Sequence, residues 1–250
     1  MYILSPLEQF SVYKLIPFSL GSFDFSFTNS SFFSIIVCFV ILFFFSSICS
    51  NARLIPTVWQ TILENLYEFV YYNLVSENIK KGGNVFFPLL LSTFLFILSC
   101  NVLGLVPYGF TVTSHIAVTL GIALSFFIGI NYIGIKTHGF HMLSLFLPSG
   151  APLALAPFLV TVELVSYSFR VVSLSVRLFA NMMSGHCLFK IIAGFAWTML
   201  SSGGILSVLH IVPLIVIFAI FGLELVMGFL QAYVFTLLIC VYLNDAISLH

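Results

Sequence analysis

Apolar residues run along this chain in five blocks separated by polar punctuation. The first, residues 31–48, is uncharged and rich in Phe, Ile and Val. The second and third, 85–105 and 114–135, are close to the ~20 residues that cross a bilayer core as a helix. The last two, 157–200 and 205–243, run for about 40 residues each, twice what a perpendicular span needs. They must lie strongly tilted, bend or be broken. Neither offers an obvious break: Pro213 comes early in its block, and Gly185 and Gly194 stand singly. The pattern predicts an all-α polytopic membrane protein with about five membrane helices.

Between the first two blocks, residues 51–83 follow a different rhythm. Pro56 is suited to opening a helix, and Trp59, Ile62, Leu63, Leu66, Phe69 and Val70 then recur at helical spacing. Glu64 and Glu68 occupy another face. This is the signature of an amphipathic helix lying in the membrane interface, too polar to cross. A packed loop helix is the plain alternative. Residues 137–157, rich in Gly, Pro and His, read as a loop. Ala117, Gly121, Ser125 and Gly129 form a small-residue stripe suited to close helix packing. The whole chain, 1–250, reads as one membrane domain: a segment 1–30, the span 31–48, the interfacial element 51–83, two spans within 85–135, and the long pair within 157–243.

Composition agrees. The chain is 61% hydrophobic and 6% charged, against about 25% charged residues in an ordinary soluble domain. Its formal net charge is zero, so nothing points to nucleic acid. Residues 1–30 hold Glu8, Lys14 and Asp24 and no arginine, which fits neither a secretory signal nor an Arg-rich transit peptide. The five cysteines form no Cys-x-x-Cys pair and read as small core residues. The loops opposite the N-terminus hold Arg53, Lys80, Lys81 and Lys136, against only Lys14 on its own side. The positive-inside rule then puts the N-terminus outside and the C-terminus inside.

The membrane-embedded charges concentrate in the two longest blocks: Glu163, Arg170, Arg177, His186 and Lys190 in one, His210 and Glu224 in the other. A charge at bilayer depth costs roughly 2.5 kcal/mol or more, so each marks function by default. Lys190 is expected to snorkel along its own stem. Glu163, Arg170 and Arg177 are seven apart and share a helix face to within about 20° per step, with Asn181 four beyond Arg177. Ser201-Ser202-Gly203-Gly204 is the best turn between the blocks. An antiparallel hairpin about that turn sets Arg177 level with Gln231, and His186 level with Glu224. Arg177 and His186 nevertheless point about 180° apart on an ideal helix, so both pairs require crossing, curvature or distortion near Gly185.

This set suggests proton movement. A Glu/His pair in low dielectric can exchange protons near neutral pH. A guanidinium stays charged and cannot relay them, but it can repel protons and attract a carboxylate. Static ion pairs, Glu163 with Arg170 and His186 with Glu224, are the plain alternative. Arg177 has no acid at its own level, which points to a partner from another chain. His115, His138, His141 and His250 show no metal-ligand spacing, and there is no nucleophile–base set or phosphate-binding loop.

The run Ser173-Leu174-Ser175-Val176-Arg177-Leu178-Phe179-Ala180-Asn181-Met182-Met183-Ser184-Gly185-His186 resembles the signature of the subunit a family of F-type ATP synthases, in its mitochondrial form. Asn101 to Tyr108, Pro157 to Glu163, Gly222-Leu223-Glu224 and Gln231-Ala232-Tyr233 extend the likeness. Ser5 to Phe10 and Tyr242 to Ala246 look like plant and algal members. Ser175 and Ser184 depart from the commoner Gly and Ala but remain small. The resemblance implies a stator subunit with a long, tilted helix hairpin facing a rotating ring of c subunits, each with one mid-membrane carboxylate. It implies two half-channels, separated by the essential arginine at Arg177, with Asn181 beside it and Gln231 as its amide neighbour. His186 and Glu224 fall at the intermembrane-space inlet and Glu163 at the matrix outlet. Its further implications are the mitochondrial inner membrane, other stator subunits and lipid as neighbours, no cofactor or metal, and no bond chemistry by the chain itself outside the synthase complex. The complex would be a large hetero-oligomer; whether it is dimeric is left open. Two other classes compete: a secondary transporter binding a small anion at Arg177, which lacks the expected inverted repeat, and a purely structural subunit of a respiratory complex.

Overall fold

A computed structural model describes residues 5–20, 23–50, 52–79, 82–106, 109–139, 156–204 and 206–248. Lys80, Lys81, Pro107, Tyr108, His141, His250 and most of the expected 137–157 loop lie outside the described residues. Among the described residues, five helices are long and apolar enough to cross a membrane. α1 spans Asn29–Ser50 and is apolar on every side, with only Val37 buried. A helix apolar all round, touching this chain only in places such as Phe33 against Phe110 and Phe44 against Trp59, leaves most of its surface to lipid.

α2 (Val58–Glu68) follows Thr57 and passes directly into a π-helical stretch, Phe69–Ser76. The two halves answer the interfacial and packed alternatives differently. Val58 and Trp59 are 75% and 62% exposed, as an interfacial helix requires. Val70, Leu74 and Val75 are buried, and Phe69 packs 6.1 Å from Phe94 and 5.8 Å from Tyr233.

α3 (Gly83–Gly104) carries a stripe of Leu90, Phe94, Ile97 and Asn101, all 0% exposed, at the spacing of one helix face. α4 (Ile116–His138) buries Thr119, Ala123, Ile130 and Gly134. The small stripe expected to pack faces elsewhere: Ala117, Gly121 and Ser125 are exposed and Gly129 half-buried. Packing within this chain therefore uses the neighbouring face of α4.

α5 (Ala156–Ser201) is one unbroken helix of 46 residues, continuous through Gly185 and Gly194. At 1.5 Å per residue it is about 69 Å long, more than twice the ~30 Å hydrocarbon core. Of the three ways to fit an overlong block, breakage is excluded for α5. The chain turns after Ser202, where Gly203 and Gly204 take φ of 71° and 68°, a region open to glycine without strain. The last block does break, but early: α6 (Leu206–Leu209) ends at His210, and α7 (Ile211–Ile247) runs for 37 residues. Pro213 explains it. It has no N–H for the Leu209 carbonyl, and its ring crowds that carbonyl.

The N-terminal segment holds structure with no clear signal in its sequence. A 3₁₀ turn, Pro6–Phe10, precedes two small antiparallel strand pairs: β1 (Lys14–Ile16) with β4 (Phe27–Thr28), and β2 (Ser19–Leu20) with β3 (Phe23–Asp24). Lys14 Nζ donates to Asp24 Oδ2 at 2.6 Å on the exposed side. Asn29 ties this segment to the start of α1, accepting from Tyr13 N at 3.2 Å and donating to the Ser11 carbonyl at 3.1 Å.

The chain divides into two compact units. The first comprises residues 1–43, 96–115 and 178–231, the second 44–95, 116–177 and 232–250. Both contain part of α5 and part of α7. In the first, Phe189 packs against Phe221 at 6.3 Å, and these residues are equidistant from position 205. The stretch is therefore an antiparallel hairpin in the register the Ser/Gly turn suggested.

Candidate functional site

The first unit gathers a polar cluster from three parts of the chain. α5 supplies His186, and α7 supplies Glu224 at the same hairpin level. His186 Nε2 lies 3.6 Å from Glu224 Oε1. That is just beyond a hydrogen bond, a gap that a small rotation or one bridging water closes. Glu224 is 3% exposed, and among the described residues no donor hydrogen-bonds either carboxyl oxygen. Gly185 makes the approach possible. A Cβ there would sit 2.5 Å from Glu224 Oε1 and 2.7 Å from Cδ. The glycine named as a possible point of distortion is instead a notch in a regular helix, filled by the carboxyl group.

On the His186 side of this pair lies a cavity of about 650 Å³, whose lining includes Gln9, Phe110, His186, Phe189, Lys190 and Phe221 but not Glu224. The N-terminal 3₁₀ turn borders it: Phe10 meets the His186 ring edge-on at 6.5 Å, and Lys190 Nζ donates to the Ser5 carbonyl at 3.3 Å. Lys190 thus reaches away from the apolar run, as a snorkelling side chain does. His115 stacks on Phe110 at 5.1 Å, outside the spans. Desolvation by burial lowers its pKa below the usual histidine value, so it is neutral at pH 7.

Behind the cavity, fully buried Asn101 donates to the Gly228 carbonyl at 2.9 Å and accepts from Thr113 Oγ1 at 3.0 Å. Gly228 is one turn from Glu224 on α7, so this amide pins the strip of helix that carries the carboxylate. In the sequence Asn101 stands out only as part of a family motif. The signal available was an amide inside an apolar span, where a polar group demands a partner.

The second unit holds the other cluster. Arg170 Nη2 donates to Glu163 Oε1 at 3.4 Å, and both side chains are about one-third exposed, at 34% and 38%. The guanidinium also sits 5.7 Å from the ring centroid of Tyr167 and 5.6 Å from that of Tyr242. Tyr167 in turn donates to Asn131 Oδ1 on α4 at 3.1 Å. Arg177 is different. It is exposed, in a shallow groove with Phe169, Ser173, Leu238 and Tyr242, and among the described residues no carboxylate lies within 4.0 Å.

The site residues read from the sequence thus divide. Glu163, Arg170 and Arg177 belong to the second unit; Asn181, His186, Glu224 and Gln231 belong to the first. His186 and Glu224 are adjacent, and Glu163 is paired with Arg170. Asn181 is half-buried and Gln231 is 8% exposed, each within the first unit.

Comparison with known proteins gives one consistent result. Residues 31–244 match the family model described as ATP synthase A chain. The chain is 53% identical over 248 residues to ATP synthase subunit a of Chondrus crispus, covering 99% of this chain and 98% of that one. It is 54% identical over 250 residues to ATP synthase subunit a of Marchantia polymorpha, covering 98% and 99%. It is 53% identical over 257 residues to ATP synthase subunit a-2 of Arabidopsis thaliana, covering 100% of this chain and 73% of that one.

Proposed function

This chain belongs to the ATP synthase A chain family, and on that footing we propose that Arg177 separates two proton half-channels whose polar residues lie in the two clusters. The chain is the proton-translocating stator subunit of the membrane sector of ATP synthase. The transporter and purely structural alternatives are not favoured. In the proposed path, protons enter through the vestibule to His186 and Glu224. They ride on a carboxylate of a rotating c-subunit ring and leave past Glu163. Asn181 and Gln231 are the amides flanking the arginine's region. Each charge that crosses gains about 2.3 kcal/mol per 100 mV of membrane potential. The proposed setting is the mitochondrial inner membrane, crossed several times, with the N-terminus in the intermembrane space and the C-terminus in the matrix.

The observation that carries this reading is the contrast between the two arginines of α5. Arg170 has an acid and two aromatic rings. Arg177 is exposed in a groove whose described lining includes Arg170 but no acid, on a helix long enough to span a membrane, where an unpaired charge costs roughly 2.5 kcal/mol or more. A carboxylate brought by a partner removes that cost, and a succession of carboxylates turns it into a working contact. The neighbours on the same helix suit a close approach, since Ser173, Ala180 and Ser184 are small and exposed.

Cysteine crosslinking in the assembled synthase tests the contact. Ala180→Cys and Ser184→Cys are expected to give adducts with a small membrane subunit bearing a mid-span carboxylate. Met182→Cys, at a position 1% exposed, is expected to give none. If neither exposed cysteine crosslinks although both react with a soluble thiol reagent, the ring does not face this surface.

A further inference from the structure

One nitrogen of His186 has two polar neighbours. Nε2 lies 3.0 Å from Thr111 Oγ1 and 3.6 Å from Glu224 Oε1. Thr111 is 5% exposed and is placed by its own backbone. It caps the 3₁₀ turn Val112–Ser114, and its carbonyl accepts from Ser114 Oγ at 2.6 Å and Ser114 N at 3.2 Å. Its methyl Cγ2 lies only 2.8 Å from where a Cβ on Gly104 would be, so the bare end of α3 sets how deeply the side chain sits. Thr111 therefore presents its hydroxyl to His186 from a rigid turn, and from a different element than the one carrying Glu224.

We propose that Thr111 is a positioning residue of the proton path, its hydroxyl aiming His186 Nε2 at Glu224 and reversing its hydrogen bond when the proton moves. The inference rests on the reading of His186 and Glu224 as the inlet pair. A threonine hydroxyl both donates and accepts. While His186 is an imidazolium, Thr111 Oγ1 accepts from Nε2–H, and a small tilt of the ring then turns that N–H from Thr111 to Glu224 Oε1. Transfer breaks the Nε2–H bond and forms O–H on Glu224 Oε1. The electron pair left on Nε2 then accepts the Thr111 O–H, and Nδ1 keeps its own proton. A proton from vestibule water restores the imidazolium, and the hydroxyl turns back. One proton enters and one leaves, and Nε2 is bare in neither state, where an unpaired buried polar atom would be expensive.

Charged and titratable groups on the surrounding elements include Glu224 on α7, Cys187 and Lys190 on α5, Cys100 on α3, neutral His115 in the segment carrying Thr111, and Glu8 in the N-terminal 3₁₀ turn.

Two substitutions separate hydrogen bonding from packing. Thr111→Val keeps the methyl against Gly104 and removes the hydroxyl. Thr111→Ser keeps the hydroxyl and removes the methyl. In membrane vesicles carrying the assembled synthase, with assembly checked by native gel, ATP-driven proton uptake is expected to slow roughly tenfold in Thr111→Val, the rate equivalent of one net hydrogen bond. Thr111→Ser is expected to stay close to the unsubstituted rate. Serine impaired and valine normal, or an equal loss in both, makes Thr111 a packing residue and overturns the proposal. Glu224→Gln in the same assay distinguishes the two levels of failure. If it slows uptake while Thr111→Val does not, only the role of Thr111 falls; if Glu224→Gln leaves uptake unchanged, the inlet reading falls and this inference with it.

Discussion

Arg177→Ala is expected to reduce proton-driven ATP synthesis to background while the complex still assembles. Both halves of that expectation follow from the environment of the side chain. Arg177 is exposed and makes no ion pair among the described residues, so its removal opens no cavity and strands no buried partner. Substitutions at such positions rarely shift stability by more than about 0.5 kcal/mol. The functional loss is large because nothing else nearby can replace a permanent cation. Arg170, one heptad earlier, is already engaged with Glu163 at 3.4 Å. Without the guanidinium, a ring carboxylate has no counter-charge as it passes, and no fixed positive charge keeps the half-channels apart. Energised vesicles should therefore make no ATP and should leak protons faster than unsubstituted ones. Arg177→Lys restores charge but not the planar fork, and is expected to recover little. Luciferase-detected synthesis, with native gels for assembly, decides it; ordinary synthesis rates in an assembled Arg177→Ala complex would refute the separator role.

The spans were legible because length and hydropathy are whole-segment properties. α1, α3 and α4 each lie within a few residues of the blocks read from the sequence. Features set by single backbone positions were harder. The break at His210 comes from Pro213 acting four residues upstream, which a proline near a helix start only hints at. The π-helical stretch Phe69–Ser76 has no residue that announces it, and its aromatic packing depends on Phe94 and Tyr233 from distant elements. The strand pairs of residues 14–28 are too short for alternation to stand out from a polar linker.

Within the candidate site, charge was the visible signal and level the useful inference. The Ser/Gly turn put His186 beside Glu224 from symmetry alone, and they lie 3.6 Å apart. Of the neutral polar residues, Asn181 and Gln231 stood out in the sequence, and two threonines did not. Thr111 and Thr113 stand in a short connection that reads as an ordinary loop, and only the folded chain brings them to His186 and Asn101. The role of Gly185 was likewise hidden. A glycine in a long helix suggests a bend, whereas here the missing side chain is space occupied by a residue 39 positions later.

That occupied notch yields the second large expected effect, a pair of substitutions that stop the same proton by different means. Glu224→Gln keeps size and shape but cannot carry a proton, and is expected to slow synthesis and ATP-driven uptake by about a hundredfold, the low end for loss of a positioned acid–base group. Gly185→Ala leaves the carboxylate in the chain and moves it. The new Cβ would meet Oε1 at 2.5 Å and Cδ at 2.7 Å, but Cγ only at 3.3 Å, so the flexible end of Glu224 swings aside while its stem stays. His186 then loses its neighbour, and flux is expected to fall by roughly tenfold or more, as when an oriented group is displaced by about an ångström. The helix itself should gain, since alanine is favoured over glycine in a helix interior by about 1 kcal/mol. A slower complex with an equally or more heat-resistant subunit would therefore isolate proton transfer from folding. Steady-state uptake by dye quenching, read beside thermal melting of the purified complex, measures both at once. Unchanged flux in Gly185→Ala would mean that Glu224 works without touching His186, and unchanged flux in Glu224→Gln would remove the carboxylate from the path altogether.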